Sequence, residues 1–245
     1  MSIRLGILGI GSMGRHHVRN ARATAGVDLV ALADPGGDRF GVAGDLPVLG
    51  GVKELIEAGI DAAIVAAPTA HHEAAALALA EAGVHTLVEK PLATSVEAGR
   101  RIRDAFASAG LVGAVGYVER CNPALIDMRR RIAEGQLGEI EQIATRRQSP
   151  FPARISDVGV VKDLATHDVD LAAWVAGAPY ESIYARTSAR SGRVHEAHDG
   201  RLGRACRRHP RQSPRQLADP VQGTARRSST GERAHSSPTP RWGTR

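Results

Sequence analysis

Ile3-Arg4-Leu5-Gly6-Ile7-Leu8-Gly9-Ile10-Gly11-Ser12-Met13-Gly14-Arg15-His16-His17 is the stretch on which the fold turns. A short apolar run, which predicts a buried strand, leads into G-x-G-x-x-G and then into a segment with helical character. Glycines are common in turns, so the motif alone says little; between a strand and a helix it is specific. Gly9 permits the tight turn, Gly11 lets a pyrophosphate approach the backbone, and Gly14 allows close helix–strand packing. The helix start adds free N–H groups and positive potential. Gly9, Ile10, Gly11, Ser12, Met13 and Gly14 are therefore the expected dinucleotide-binding loop. The alternative is an ordinary strand–helix turn, and the context weighs against it.

Outward from this loop, residues 1–118 alternate strand-like and helix-like segments, the pattern of a doubly wound parallel sheet. Predicted strands are Ile3–Leu8, Val27–Ala33, Ala62–Ala66, Thr86–Val88 and Val112–Tyr117. Predicted helices are Arg15–Ala25, Lys53–Ala58, Glu73–Ala82 and a segment that Ser95 caps and Gly110 ends. From residue 119 to about 190 the pattern becomes that of a partial α+β domain. It has helices over Pro123–Ala133 and Asp163–Val175, and strands over Ile140–Thr145 and Ser182–Thr187.

Residues 191–245 differ. They hold 12 of the 32 basic residues and 4 of the 26 acidic ones, and only Val194, Leu202, Leu217, Val221 and Trp242 as large apolar side chains. Such a stretch cannot bury enough apolar surface to offset its ordering entropy, so disorder is expected, leaving Ser182–Thr187 with an unpaired edge. The positive charge resides there, a net +8 against +6 for the whole chain. With 20 basic and 22 acidic residues, positions 1–190 are mildly acidic, and the scattered tail arginines beside one aromatic give no nucleic-acid platform. No run of about 18 apolar residues predicts a membrane span. Cys121 and Cys206 form no disulfide or metal pattern, in keeping with a reducing cytoplasm.

Several residues carry chemistry. Asp34 ends the second strand, where an acid reaches the adenosine ribose hydroxyls and repels a 2′-phosphate; NAD is then favoured over NADP, with Arg39 close enough to soften the preference. Asp34 before Pro35 is equally a turn former, and both roles can coexist. Pro68, Thr69 and His72, and Glu89-Lys90-Pro91, lie at strand C-terminal ends, where open α/β sheets bind ligands. Lys90 is one of three lysines in an arginine-rich chain, a choice that suits a compact ammonium or a tunable proton carrier. A solvated loop lysine is the plain alternative. Asp163 and His167 lie four apart on a predicted helix, so His167 is a candidate general base oriented by Asp163. On spacing alone, a helix N-cap is the better account of Asp163.

With Gly9–Gly14, Glu89-Lys90-Pro91 and Asp163-Leu164-Ala165-Thr166-His167-Asp168 in this order, the chain resembles the Gfo/Idh/MocA oxidoreductases over residues 3 to 190. The resemblance implies reversible hydride transfer between a sugar or polyol hydroxyl and a nicotinamide cofactor. It further implies a catalytic group of Lys90, Asp163 and His167, and a second domain that forms homo-oligomers. Glu119-Arg120-Cys121-Asn122-Pro123 and Pro150-Phe151-Pro152-Ala153-Arg154-Ile155 are similar to the branch of UDP-N-acetylglucosamine 3-dehydrogenases. That likeness makes Arg120, Asn122, Arg147, Arg154 and His167 candidates for a nucleotide-sugar substrate, although surface arginines also serve solubility. Past residue 190 the likeness stops. A tail rich in Arg, Pro, Ala, Gly, Ser and His is what a GC-rich gene yields out of frame, so a frameshift near residues 192–200 is the expectation, and a genuine basic tail that binds nucleic acid or an acidic partner is the alternative. An inactive NAD-binding remnant and a polyol dehydrogenase of the inositol type are the alternatives to a sugar-nucleotide enzyme.

Overall fold

The computed structural model describes residues 2–146, 164–188 and 198–205. Its first part is a six-stranded, wholly parallel sheet. The strands are β1 (Ile3–Leu8), β2 (Val27–Ala33), β3 (Val48–Leu49), β4 (Ala62–Val65), β5 (His85–Glu89) and β6 (Gly113–Gly116), in the order β3-β2-β1-β4-β5-β6. The chain builds outward from β1 to β3, then returns to place β4 on the other side of β1. That reversal opens a crevice at the C-terminal ends of β1 and β4, the place where open α/β sheets take ligands.

Helices α1 (Gly14–Ala23), α2 (Val52–Glu57), α3 (His72–Glu81) and α4 (Val96–Ser108) cover the sheet. Two apolar clusters result. Leu5, Ile7, Ile10, Val18, Ala21, Leu32 and Ala43 pack under α1. Leu8, Leu55, Val65, Leu79, Ile102 and Phe106 join β1 and β4 to α2, α3 and α4. Helix α3 is alanine-rich, which lets its backbone lie close to the sheet. As expected, the Ser95 hydroxyl caps α4, accepting from the Ala98 N–H at 3.1 Å.

Beyond the sheet come a single helical turn (Val118–Cys121), α5 (Pro123–Ala133), α6 (Thr166–Ala176), β7 (Tyr180–Ser188) and β8 (His198–Ala205). Two expectations change here. Ile140–Thr145, expected as a strand, is irregular, because its alternating pattern meets no partner strand among the described residues. Conversely β7 does not stand alone: β8, inside the segment expected to lack structure, pairs with it antiparallel from Tyr180↔Ala205 to Ser188↔His198. The expected boundary at residue 190 thus falls between two paired strands.

The tightest packing in the domain is at the start of α1. Gly9 has φ 86°, and a Cβ there would meet the Ala66 carbonyl carbon and the Ala67 nitrogen at 2.7 Å. A Cβ on Gly14 would collide with the Gly9 carbonyl oxygen, whereas one on Gly11 meets nothing within 4 Å. Gly14→Ala should therefore cost at least about 3 kcal/mol or prevent folding. Gly11→Ala should melt with the parent protein. Thermal melts compare them, and equal melting temperatures for Gly14→Ala and the parent would contradict the close approach.

Candidate active site

At the switch point the loop between β1 and α1 forms an anion cradle. The N–H groups of Gly11, Ser12 and Met13 have no acceptor among the described residues, and α1 begins immediately after them without a side-chain cap. The open space above Gly11 fits a diphosphate brought against this backbone. Ile10 departs from expectation. Its side chain is buried in the core under α1 and its N–H donates to Asp34, so it supports the loop from behind.

Asp34 serves as both a turn former and a tether. Its Oδ2 accepts from the Ile10 N–H at 3.0 Å and its Oδ1 from the Gly36 N–H at 2.8 Å. Each carboxylate oxygen retains a lone pair for a ribose hydroxyl. Arg39 donates from Nε to the Gly36 carbonyl at 3.4 Å, on the same turn. The Arg15 guanidinium lies 4.8 Å from the centre of the Phe40 ring beside it.

Where Pro68, Thr69, His72 and Glu89 were expected to face the cofactor, the structure assigns two of them to support. His72 is 1% exposed, with Nδ1 at 3.0 Å from the Pro91 carbonyl and Nε2 at 2.8 Å from the Ala67 carbonyl. It holds together the loops that follow β4 and β5. Glu89 is 6% exposed. One carboxylate oxygen lies 2.7 Å from His17 Nε2 on α1, and the other accepts from the Lys90 N–H at 3.1 Å. Burial pushes this carboxyl up, but the hydrogen bond and charge of His17, with the Lys90 N–H and ammonium, outweigh it and hold the group below its ordinary 4.5. Thr69 is buried at the start of a single turn that precedes α3, and Pro68 is the N-cap residue of that turn. Lys90 is half-buried at the mouth of the crevice, followed by a cis peptide to Pro91.

Helix α6 carries His167, half-buried with its Nδ1 enclosed. The N-cap position of α6 belongs to Ala165, with no side-chain cap; Asp163, Arg147 and Arg154 lie outside the described residues. Arg120, expected to hold substrate phosphate, is engaged within the protein. Its Nε donates to Asp170 Oδ2 at 2.8 Å and its second amino nitrogen to Oδ1 at 2.5 Å. This bidentate bond raises the Arg120 pKa, while burial and the Asp170 charge raise that of Tyr117, whose ring lies 5.3 Å from the guanidinium. Asn122 is likewise structural: its Oδ1 accepts from the Ala124 N–H at 3.0 Å and caps α5. Sequence reasoning missed His17 and the pairing of Asp170 with Arg120. The signal for Asp170 was its place three residues after His167, on the same helix face. His17 had none, because its partner is 72 residues away.

Among the described residues no group of three or more His, Cys, Asp or Glu is placed to hold a metal, and no helix is long and apolar enough to cross a membrane.

Residues 3–117 match the oxidoreductase family model for an NAD-binding Rossmann fold, and residues 125–227 match the GFO/IDH/MocA C-terminal domain. Inositol 2-dehydrogenase 2 of Saccharopolyspora erythraea is 31% identical over 202 residues, covering 78% of this chain and 59% of that protein. UDP-N-acetylglucosamine 3-dehydrogenase of Acidithiobacillus ferrooxidans is 31% identical over 179 residues, covering 72% of this chain and 55% of its own. A solved structure of the latter superposes with a TM-score of 0.73 at 26% identity, over 84% of this chain and 66% of that one. The chain thus spans a little over half the length of the curated relatives it matches.

The Glu89 geometry fixes a sign for acid sensitivity. A carboxyl whose folded-state pKa is depressed contributes stability that is complete above its ordinary value of 4.5 and is lost as pH falls through the lower folded value. Glu89→Gln should therefore be less stable than the parent near neutrality and lose less on acidification. Urea unfolding from about pH 7 to pH 3 tests this. Parallel stability curves for the two proteins would exclude a depressed Glu89 carboxyl.

Proposed function

The chain belongs to the Gfo/Idh/MocA oxidoreductase family, and from that premise we propose that it moves a hydride between a sugar or polyol hydroxyl and NAD. The observation that carries this reading is the convergence on one crevice of the open glycine loop, Asp34 at the ribose position and Lys90 at the end of β5. Bound nicotinamide supplies the hydride acceptor. His167 takes the hydroxyl proton, Asp163 orients His167, and the Lys90 ammonium holds the developing alkoxide oxygen. The carbinol thereby loses a hydride and a proton and becomes a carbonyl.

For the substrate we propose a nucleotide sugar oxidised at a ring hydroxyl, such as C3 of UDP-N-acetylglucosamine, with Arg154 on the phosphates. One observation favours an inositol-type polyol instead: Arg120 is already committed to Asp170. We further propose a cytoplasmic homo-oligomer, and a reading-frame change behind the altered composition after residue 190. The family match running to residue 227 argues against that change, and sequencing the coding DNA decides it.

Kinetics with UDP-N-acetylglucosamine and myo-inositol in parallel test the reading. Lys90→Ala and His167→Ala should each cut turnover by about 10²-fold or more. The double variant should lose far less than the product of the two, since the groups act as a unit. Near-normal turnover by His167→Ala would remove it as the base, and NAD binding without turnover on either substrate would mark an inactive remnant.

Cofactor choice is tested separately. Fluorescence titration should show NAD binding more tightly than NADP, with the preference weakened or reversed in Asp34→Ser. Equal affinities in the parent would reject the role of Asp34.

A further inference from the structure

We propose that His17 and Glu89 are a positioning pair that couples the diphosphate-binding helix to Lys90. The proposal rests on the reading above in which Lys90 acts at the reacting hydroxyl.

Three observations carry it. First, Glu89 is a buried carboxylate whose two oxygens each face a different element: Oε1 meets His17 on α1 at 2.7 Å, and Oε2 accepts from the backbone N–H of Lys90 at 3.1 Å. A buried carboxylate is costly unless it is fully partnered, and an apolar side chain would fill the same space without that cost. Second, the sheet keeps room for it. Glu89 lies opposite Gly116 in the β5–β6 ladder, and a Cβ on Gly116 would come within 2.9 Å of the carboxylate carbon. Third, His17 sits in the first turn of α1, three residues after Gly14, so the helix end that receives the diphosphate also holds the carboxylate. The next peptide is secured from the far side by His72, which reaches the Pro91 carbonyl.

Lys90 is therefore suspended between two histidines, neither of which needs to touch substrate. A small shift of α1 on seating a diphosphate passes through His17 and the Glu89 carboxylate to the Lys90 peptide. The pair makes the lysine's position depend on whether the cradle is filled.

Acylation of lysine ε-amines in the folded chain, followed by peptide mass spectrometry, reads the Lys90 environment without requiring turnover. Lys53, whose side chain is 85% exposed on α2, is the internal reference. In the parent, added NAD should slow labelling of Lys90 several-fold relative to Lys53. In His17→Ala and Glu89→Gln the NAD dissociation constant should stay within about threefold of the parent, while the protection of Lys90 largely disappears. His17→Gln, whose amide can still donate to Glu89, should restore part of it. Gly116→Ala, which crowds the carboxylate without removing either partner, should weaken it. Protection of Lys90 in His17→Ala and Gly116→Ala equal to that in the parent would overturn the proposal. The turnover of Lys90→Ala tests the catalytic reading independently, since labelling does not depend on it.

Discussion

Everything at the cofactor end of this molecule depends on the near contact between the Gly9 carbonyl and Gly14. With no Cβ at Gly14, α1 starts against the end of β1 rather than above it. That placement brings Val18 and Ala21 into the core beneath the sheet, puts the N–H groups of Gly11 to Met13 at the crevice, and sets His17 against Glu89. Helix seating, anion cradle and the β5 loop are then consequences of one steric allowance. Asp34 extends the same arrangement sideways by tying the loop to the turn after β2.

Local pattern carried most of the fold. Val27–Ala33 and Pro123–Ala133 form as expected, residue for residue, because a buried apolar run and an Asn-Pro helix start are written in adjacent positions. β3 escaped notice since two residues carry no periodicity. Ile140–Thr145 shows the opposite limit: alternation is a local property, while a strand requires a partner supplied from elsewhere. β8 exists for the complementary reason, its glycine- and arginine-rich sequence taken up by pairing with β7.

The site was legible in its backbone and less so in its side chains. The glycine motif, Asp34 and Lys90 lie where strand ends place them. Glu89, His72, Arg120 and Asn122 have the chemistry of ligand-binding groups, yet each one spends it on the protein itself. Composition and spacing cannot distinguish a polar side chain that faces a ligand from one that faces a distant backbone. The difference lies in partners such as Pro91 and Asp170, which are remote in sequence.

The Arg120–Asp170 bond bridges 50 residues of chain and joins the segment leaving the parallel sheet directly to α6. The helix bearing His167 is thus moored to the turn that follows β6, at a point independent of the sequence between them. Changes of length or composition in the span after α5 can then leave the seat of α6 unmoved, because neither bonding partner lies within that span.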